Sequence, residues 1–401
     1  MKHVLVTAGT VYGRLDDNKL VGNRIRGIWA TKFACWLAGR SVQERGGYAV
    51  TLLLPDTFPK EQIDKELKHA QLEAVDLPVP GAGVRVLYHT GYESYAEQCY
   101  ELAPKVDAAV MAAAVVNWIP KTPFKGKMPT EGFAEGAEQL IPFVLAPRVI
   151  DRMKKLNPKL TLIGCKMTSG AEKSETLRLA YQTLLKSHAN VVVANDLQRL
   201  KLKTLVYPDA SARDMEDFER FYEHLEATIN DRFYRTERAQ AAGSPAYSDP
   251  SEHDLNRAQV KFDNLCARYR ERFKKWPTGP HGPERVYGAI AVRIDSDHVL
   301  VSPREKGEMF DSRDAVVVTE VNTARHVVFT MFGKKATLNA PLLVRVMGRF
   351  KANAVVHLHE QNPKWPTLPY APPGTVRDNE RKLETEAFNI EGHGCVFVER
   401  T

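Results

Sequence analysis

Short, continuous runs of apolar and β-branched residues recur through the first half of the chain, most of them followed by a stretch long enough for a helix. The runs are His3–Ala8, Tyr48–Leu54, Val84–Tyr88, Ala108–Val116, Leu160–Cys165 and Asn190–Ala194. Amphipathic stretches at Gly27–Glu44, Tyr92–Leu102 and Ala171–Lys186 lie between them. A strand that is apolar on both faces must be covered on both, so the alternation predicts a parallel sheet between two layers of helices. Such a doubly wound, Rossmann-like α/β sheet binds ligands beyond the carboxyl ends of its strands, where the strand order reverses. The loops after Ala8, Val116, Cys165 and Ala194 are therefore the places to look for a site.

The second half has another texture. Residues from Asp214 to Ala241 are strongly charged and helical in pattern, and a Gly/Pro/Ser stretch around Pro245 follows. At 401 residues the chain is too long for one ordinary core, so that stretch is read as a boundary between domains 1–245 and 246–401. A charged helix at Asp254–Lys275 leads into short strands at Val286–Ile294, His298–Ser302 and Ala315–Thr319, with an amphipathic segment Ala340–Phe350 before the strand Asn353–His357. This pattern predicts an α/β domain on a mainly antiparallel sheet.

Composition narrows the function. Hydrophobic residues make up 43% and charged residues 26%, the balance of a soluble globular protein. No apolar run is long enough to span a bilayer, and the start MKHVLVTAG lacks the pattern of a signal peptide, so a cytoplasmic protein without a membrane partner is expected. Cys35, Cys99, Cys165, Cys266 and Cys395 are odd in number and never form a CxxC pair, which agrees with reduced thiols. The net charge of +7 suits anionic ligands, but the basic residues are scattered and do not alternate with aromatics; no nucleic-acid partner is expected.

The strand HVLVTAG opens into TVYGRLDDNKLVGNRIRG ahead of the first long helix, and a glycine-bearing turn at a helix start is a ready anion site. GxGxxG is absent, and no YxxxK follows. The region from Lys2 to about Pro208 resembles phosphopantothenoylcysteine synthetase, the ligase half of a bacterial bifunctional coenzyme A flavoprotein. Thr7, Ala8, Gly9, Asp16, Lys19, Val21, Asn23 and Gly27 carry the family's opening motif at unbroken spacing. MAAAVVNW, FKGK, LAPRVID, LTLIGCK and NVVVANDL follow in the family's order. The resemblance implies a ligase that uses CTP or ATP with Mg²⁺ to convert a carboxylic acid into an acyl nucleotidylate, which an amine then attacks. It implies that Asn23 holds that intermediate, with Lys19 and the loop lysine Lys125 in catalytic positions. Gly9, Asp16, Gly27, Ala113, Asn117, Lys127, Asn195 and Asp196 would surround the nucleotide. Taken alone, Asn23 could be a turn residue, Lys125 and Lys127 solvated loop charges, and Asn195–Asp196 a cap.

AVVHLHE places His357 and His359 two apart on a strand, so both point to one face, the geometry two imidazoles need to share a metal. His393 lies in EGHGC beside another apolar run. Three histidines suit a divalent metal such as Zn²⁺, and a structural role for HxH is the alternative. The span from about Ser251 to Thr401 resembles the class II aldolase and adducin family through VYGAIAVRIDSDHVLVSPR, NAVVHLH, PPGTVRD and EGHGCVF. That resemblance implies metal-dependent lyase chemistry and a homo-oligomer. Asn339 stands one residue out of register with the family's glutamate, and Ala289 and Ala291 replace its asparagine and serine. Glu360 is the candidate base. Taken together, the sequence predicts a ligase fused to a metal-binding lyase-like domain acting on small-molecule acids and amines. Its rivals are an NAD(P)-binding oxidoreductase and a non-catalytic assembly protein.

Overall fold

A computed structural model describes residues 1–40, 47–77, 83–239, 248–277 and 284–400. The chain divides into two compact units: Met1–Val206 with Asp214–Ile229, and Tyr207–Arg213 with Asn230–Thr401. The expected boundary near Pro245 lies outside the described residues, and the division itself comes earlier. The helix expected to run to Ala241 spans only Phe218–Asn230, and the chain resumes as a strand at Arg235–Arg238.

The first unit is built on the predicted parallel sheet. Lys2–Thr7 pairs in parallel with Tyr48–Pro55 on one side and Ala108–Met111 on the other. Gly83–His89 extends the sheet beyond Tyr48–Pro55, and Thr161–Thr168 followed by Val191–Asp196 extends it beyond Ala108–Met111. The chain thus builds outward in one direction from its first strand and then returns to build in the other. That reversal opens a crevice at the carboxyl ends of Lys2–Thr7 and Ala108–Met111. All eight residues of Tyr48–Pro55 are buried, so both faces of the sheet are covered, as its unbroken apolar run requires. The run Ala108–Val116 does not form one strand. It leaves the sheet after Met111, and Ala114–Val115 pairs instead with Thr10–Val11 above the crevice.

The second unit carries a mainly antiparallel sheet. Its centre is Ala289–Arg293, flanked by Val299–Val301 and Ala354–Leu358, and Gly394–Val398 lies beyond the latter. Alternation along the strands sends Ala289, Ala291 and Val355 to one face and Ile290, Val292 and Val356 to the other. Helix Ala340–Phe350 covers the first face with Leu342, Leu343, Val346 and Met347. Helix Glu252–Tyr269 covers the second with Phe262, Leu265 and Cys266. The strand expected over Val286–Ile294 is broken at Gly288; Glu284–Tyr287 pairs with Lys274–Pro277 instead. Among the described residues, no helix is long and apolar enough to cross a membrane.

The layering predicts an unequal pair of variants on one helix. Phe262 is fully buried, and Phe262→Ala should lower unfolding stability by about 3–5 kcal/mol. Val260→Ala, at a position 63% exposed, should change it by no more than about 0.5 kcal/mol. Equal urea midpoints for the two variants would remove this helix from the core.

Candidate functional site

The crevice of the first unit depends on two glycines meeting. Gly27 has φ +71°, and a Cβ there would fall 2.1 Å from the backbone nitrogen of Gly9. Only without side chains can the turn after the first strand lie against the start of helix Ile28–Arg40. That helix has no acidic residue in its first turn, which leaves its amino end electropositive. Thr7, buried at the end of its strand, receives a hydrogen bond from Ala113 N at 3.2 Å and so positions the neighbouring loop.

A cavity of about 860 Å³ opens here. Of the expected residues, Asn23, Gly27, Ala113, Asn117 and Asn195 line it. Asn23 Nδ2 donates to the carbonyls of Ala114 and Val115, both at 3.1 Å. Its amide hydrogens therefore hold two loops together and leave Oδ1 as its free atom. Asn195 donates from Nδ2 to the Val193 carbonyl at 3.3 Å, while its buried Oδ1 has no partner. Gln182, also on the cavity wall, has a buried Nε2 with none. Unsatisfied buried polar atoms carry a desolvation cost that an incoming ligand relieves.

Other expected residues have structural roles. Asp16 is buried and accepts hydrogen bonds from Met128 N at 2.9 Å, Asn18 N at 2.7 Å and Lys19 N at 2.6 Å. The bond from Met128, with those of Asn18 and Lys19 and against the opposing effect of burial, holds its carboxyl well below the usual range. The Lys19 ammonium is 3.0 Å from the same carboxylate. Lys125 and Lys127 are exposed on a loop fastened to this turn, where Asp17 N donates to Gly126 O at 3.1 Å and Gly126 N to Asp17 Oδ2 at 3.0 Å. Asp196 accepts from Thr168 Oγ1 at 2.7 Å and Gln198 N at 2.9 Å and braces the following turn.

The sequence reading missed the cationic lining. Arg24, Arg148, Lys166 and Lys186 come to the cavity from separate parts of the chain. Burial, and then the charge of Arg148, lowers the Lys166 ammonium below its ordinary value. LAPRVID and LTLIGCK carried two of these residues, but nothing in their spacing distinguishes them from surface charges.

In the second unit the three predicted histidines converge. The ring centroids of His357, His359 and His393 lie 4.7–4.9 Å apart, and one donor nitrogen of each falls within 4.8 Å of the others. Gly394 permits the approach: its φ is +148°, and a Cβ would lie 2.0 Å from the Leu358 carbonyl. His357 Nδ1 is 2.9 Å from the carbonyl of Cys395, which fixes the proton on that nitrogen and turns the Nε2 lone pair toward His393, 3.0 Å away. Burial, with the neighbouring His393, pushes the His357 imidazole down to about 3; burial likewise lowers His359. Three converging imidazoles fit a first-row divalent cation.

Glu360 does not join them. It is exposed and pairs with Arg272, whose Nε lies 2.9 Å away. The carboxylate that does reach the cluster is Asp209, 2.9 Å from His393 Nε2. Ala289 and Ala291 are fully buried in the core and present no polar group.

Residues 70–205 match the DNA/pantothenate metabolism flavoprotein C-terminal domain. Over 201 residues the chain is 26% identical to the coenzyme A biosynthesis bifunctional protein CoaBC of Thermococcus kodakarensis, covering 49% of this chain and 42% of that protein. The chain thus spans about two-fifths of the length of this curated relative. Among solved structures, Cab2 in complex with phosphopantothenate-cysteine is 17% identical, with 57% of this chain and 86% of that one covered at a TM-score of 0.46. YgbL of Klebsiella pneumoniae is 16% identical, with 36% and 79% covered at a TM-score of 0.27.

The Asp16 clasp predicts a pH dependence. A carboxyl lowered in the folded state lends stability that is whole above its unfolded value of about 4 and fades as the pH falls below it. Asp16→Asn should therefore destabilise most at pH 6–7, and its difference from wild type should shrink toward pH 3. A difference that grows on acidification would contradict the assignment.

Proposed function

We propose that the first unit is a nucleotide-dependent acid–amine ligase. In the first step a carboxylate oxygen attacks the α-phosphorus of CTP or ATP, and the bond to the β-phosphate breaks to release pyrophosphate with its Mg²⁺. An amine nitrogen then attacks the acyl carbon, and the nucleoside monophosphate leaves as the amine gives up a proton. Both steps concentrate negative charge, and catalysis consists of holding the partners in line and neutralising that charge. The observation that carries the reading is the cavity at the strand reversal, walled by Arg24, Arg148, Lys166 and Lys186 and floored by the helix start at Gly27. The family match over residues 70–205 and the CoaBC relative support the same class of reaction.

Asn23 acts here as the residue that keeps both loops of the crevice in register and offers Oδ1 to the bound acid. With phosphopantothenate and cysteine as probes, CTP or ATP should give pyrophosphate release that depends on the acid. Asn23→Ala should reduce that release by about 100-fold or more while the circular dichroism is unchanged. Tight NADPH binding with no pyrophosphate from either triphosphate would favour the oxidoreductase instead.

The second unit we read as a metal-dependent, class II aldolase-like domain in which His357, His359 and His393 hold the ion. When bound, the ion would polarise a carbonyl or enediolate oxygen. Metal analysis of the purified chain should find about one first-row divalent ion per chain, lost in His357→Ala with His359→Ala; full occupancy in that double variant would end this reading.

A further inference from the structure

We propose that Asp209 is a fourth protein ligand of that metal, a carboxylate donor supplied by the short segment Tyr207–Arg213. The inference rests on the three-histidine reading and extends it by one inner ligand that the sequence patterns do not assign.

The side of the imidazole decides between a ligand and an orienting partner. A carboxylate that merely orients a metal-bound histidine bonds the ring nitrogen turned away from the metal. His357 shows that arrangement, with Nδ1 on the Cys395 carbonyl and Nε2 facing inward. Asp209 does the opposite. Its Oδ2 lies 2.9 Å from Nε2 of His393, the same nitrogen that lies 3.0 Å from Nε2 of His357. The outer nitrogen of His393, Nδ1, has no partner at all. Asp209 Oδ2 and His357 Nε2 thus both meet His393 at its inward nitrogen.

The two carboxylate oxygens are also differently used. Oδ1 accepts from Ser211 Oγ at 2.7 Å and Ser211 N at 3.2 Å, which fixes the plane of the group. Oδ2 is buried and receives no well-aligned hydrogen bond. A buried carboxylate is costly unless paired or bound to a metal; its contact here is the His393 imidazole, and the nearby Lys274 ammonium donates to the Ala210 carbonyl at 2.8 Å. A divalent cation among the four donors meets that charge directly. Three nitrogens and one oxygen favour a borderline ion such as Zn²⁺, Co²⁺ or Fe²⁺ over Mg²⁺ or Ca²⁺.

The test is a Co²⁺ titration of the full-length apoprotein, followed by absorption, on wild type, Asp209→Cys and Asp209→Ala. A cysteine inside the coordination sphere gives a sulfur-to-cobalt charge-transfer band in the near ultraviolet; one outside it gives none. Asp209→Cys should gain that band, saturating at one equivalent, and Asp209→Ala should bind Co²⁺ at least about 100-fold more weakly, the upper end of what an outer partner costs. If the wild type binds Co²⁺ and Asp209→Cys shows no band, Asp209 is not a ligand, and the three-histidine site stands without it. If the wild type binds none, the metal reading itself fails. A crystal of the zinc-loaded wild type decides the point without any variant: an Asp209 oxygen at about 2.0–2.2 Å from the ion supports the assignment, and one beyond about 3 Å overturns it.

Discussion

The strand Lys2–Thr7 hydrogen-bonds in parallel to a neighbour on each side, and the chain leaves it first in one direction and later in the other. The crossover helices of the two directions diverge from that point, so the carboxyl ends of the two adjacent strands are left without a helix across them. Everything at the first site follows from this opening. The turn after Thr7 can fold back only where glycine meets glycine, and the loops are then stitched by Ala114 N to Gly9 O at 2.8 Å and Val116 N to Val11 O at 3.0 Å. A cavity lined by this turn and by long cationic side chains is the outcome.

The second site is made by a different constraint. His357 occupies a central strand, paired with Ala289 on one side and Val396 on the other, so its ring has no solvent to fall back on. Burial pushes the His357 and His359 imidazoles toward the neutral form, and the Cys395 carbonyl fixes one tautomer of His357. The inward nitrogens of His357 and His393 lie 3.0 Å apart, a spacing at which a proton or a metal cation can be shared between them. The packing that makes the cluster expensive for the bare protein is the packing that suits it to a cation.

The parallel sheet, the antiparallel sheet and the helix Ala340–Phe350 were legible because periodicity and burial agree there. The histidine cluster was legible from the HxH spacing, although the strand that carries His357 ends at Leu358, one residue before His359. Asp209 was not, because it lies 148 residues before His357 and no local pattern marks it. The basic wall was invisible for the same reason: Arg24, Arg148, Lys166 and Lys186 become neighbours only through the sheet. Glu360 misled in the other direction. It follows the metal strand closely, but that strand ends at Leu358, and Glu360 lies exposed beyond it, paired with Arg272. The charged run to Ala241 shows how weak charge is as a helix signal, for the amphipathic pattern ends at Asn230.

A motif residue and a ligand-binding residue are separable by asking what hydrogen-bonding capacity each has left. Asp16 and Asp196 belong to the segments that resemble a ligase, yet their oxygens are occupied by backbone N–H groups and neighbouring side chains. Asn23 has spent both amide hydrogens on Ala114 and Val115. The two aspartates act through the shape they impose, whereas Asn23 keeps Oδ1 for a ligand. Gln182 Nε2 and Asn195 Oδ1 on the first unit's cavity are buried with their capacity unfilled. Folding has already met the desolvation cost of those atoms without a return in hydrogen bonds, and only a bound partner can supply one. Where such atoms line a cavity, as those of Gln182 and Asn195 do, they mark positions at which a ligand's hydrogen-bonding groups would be met.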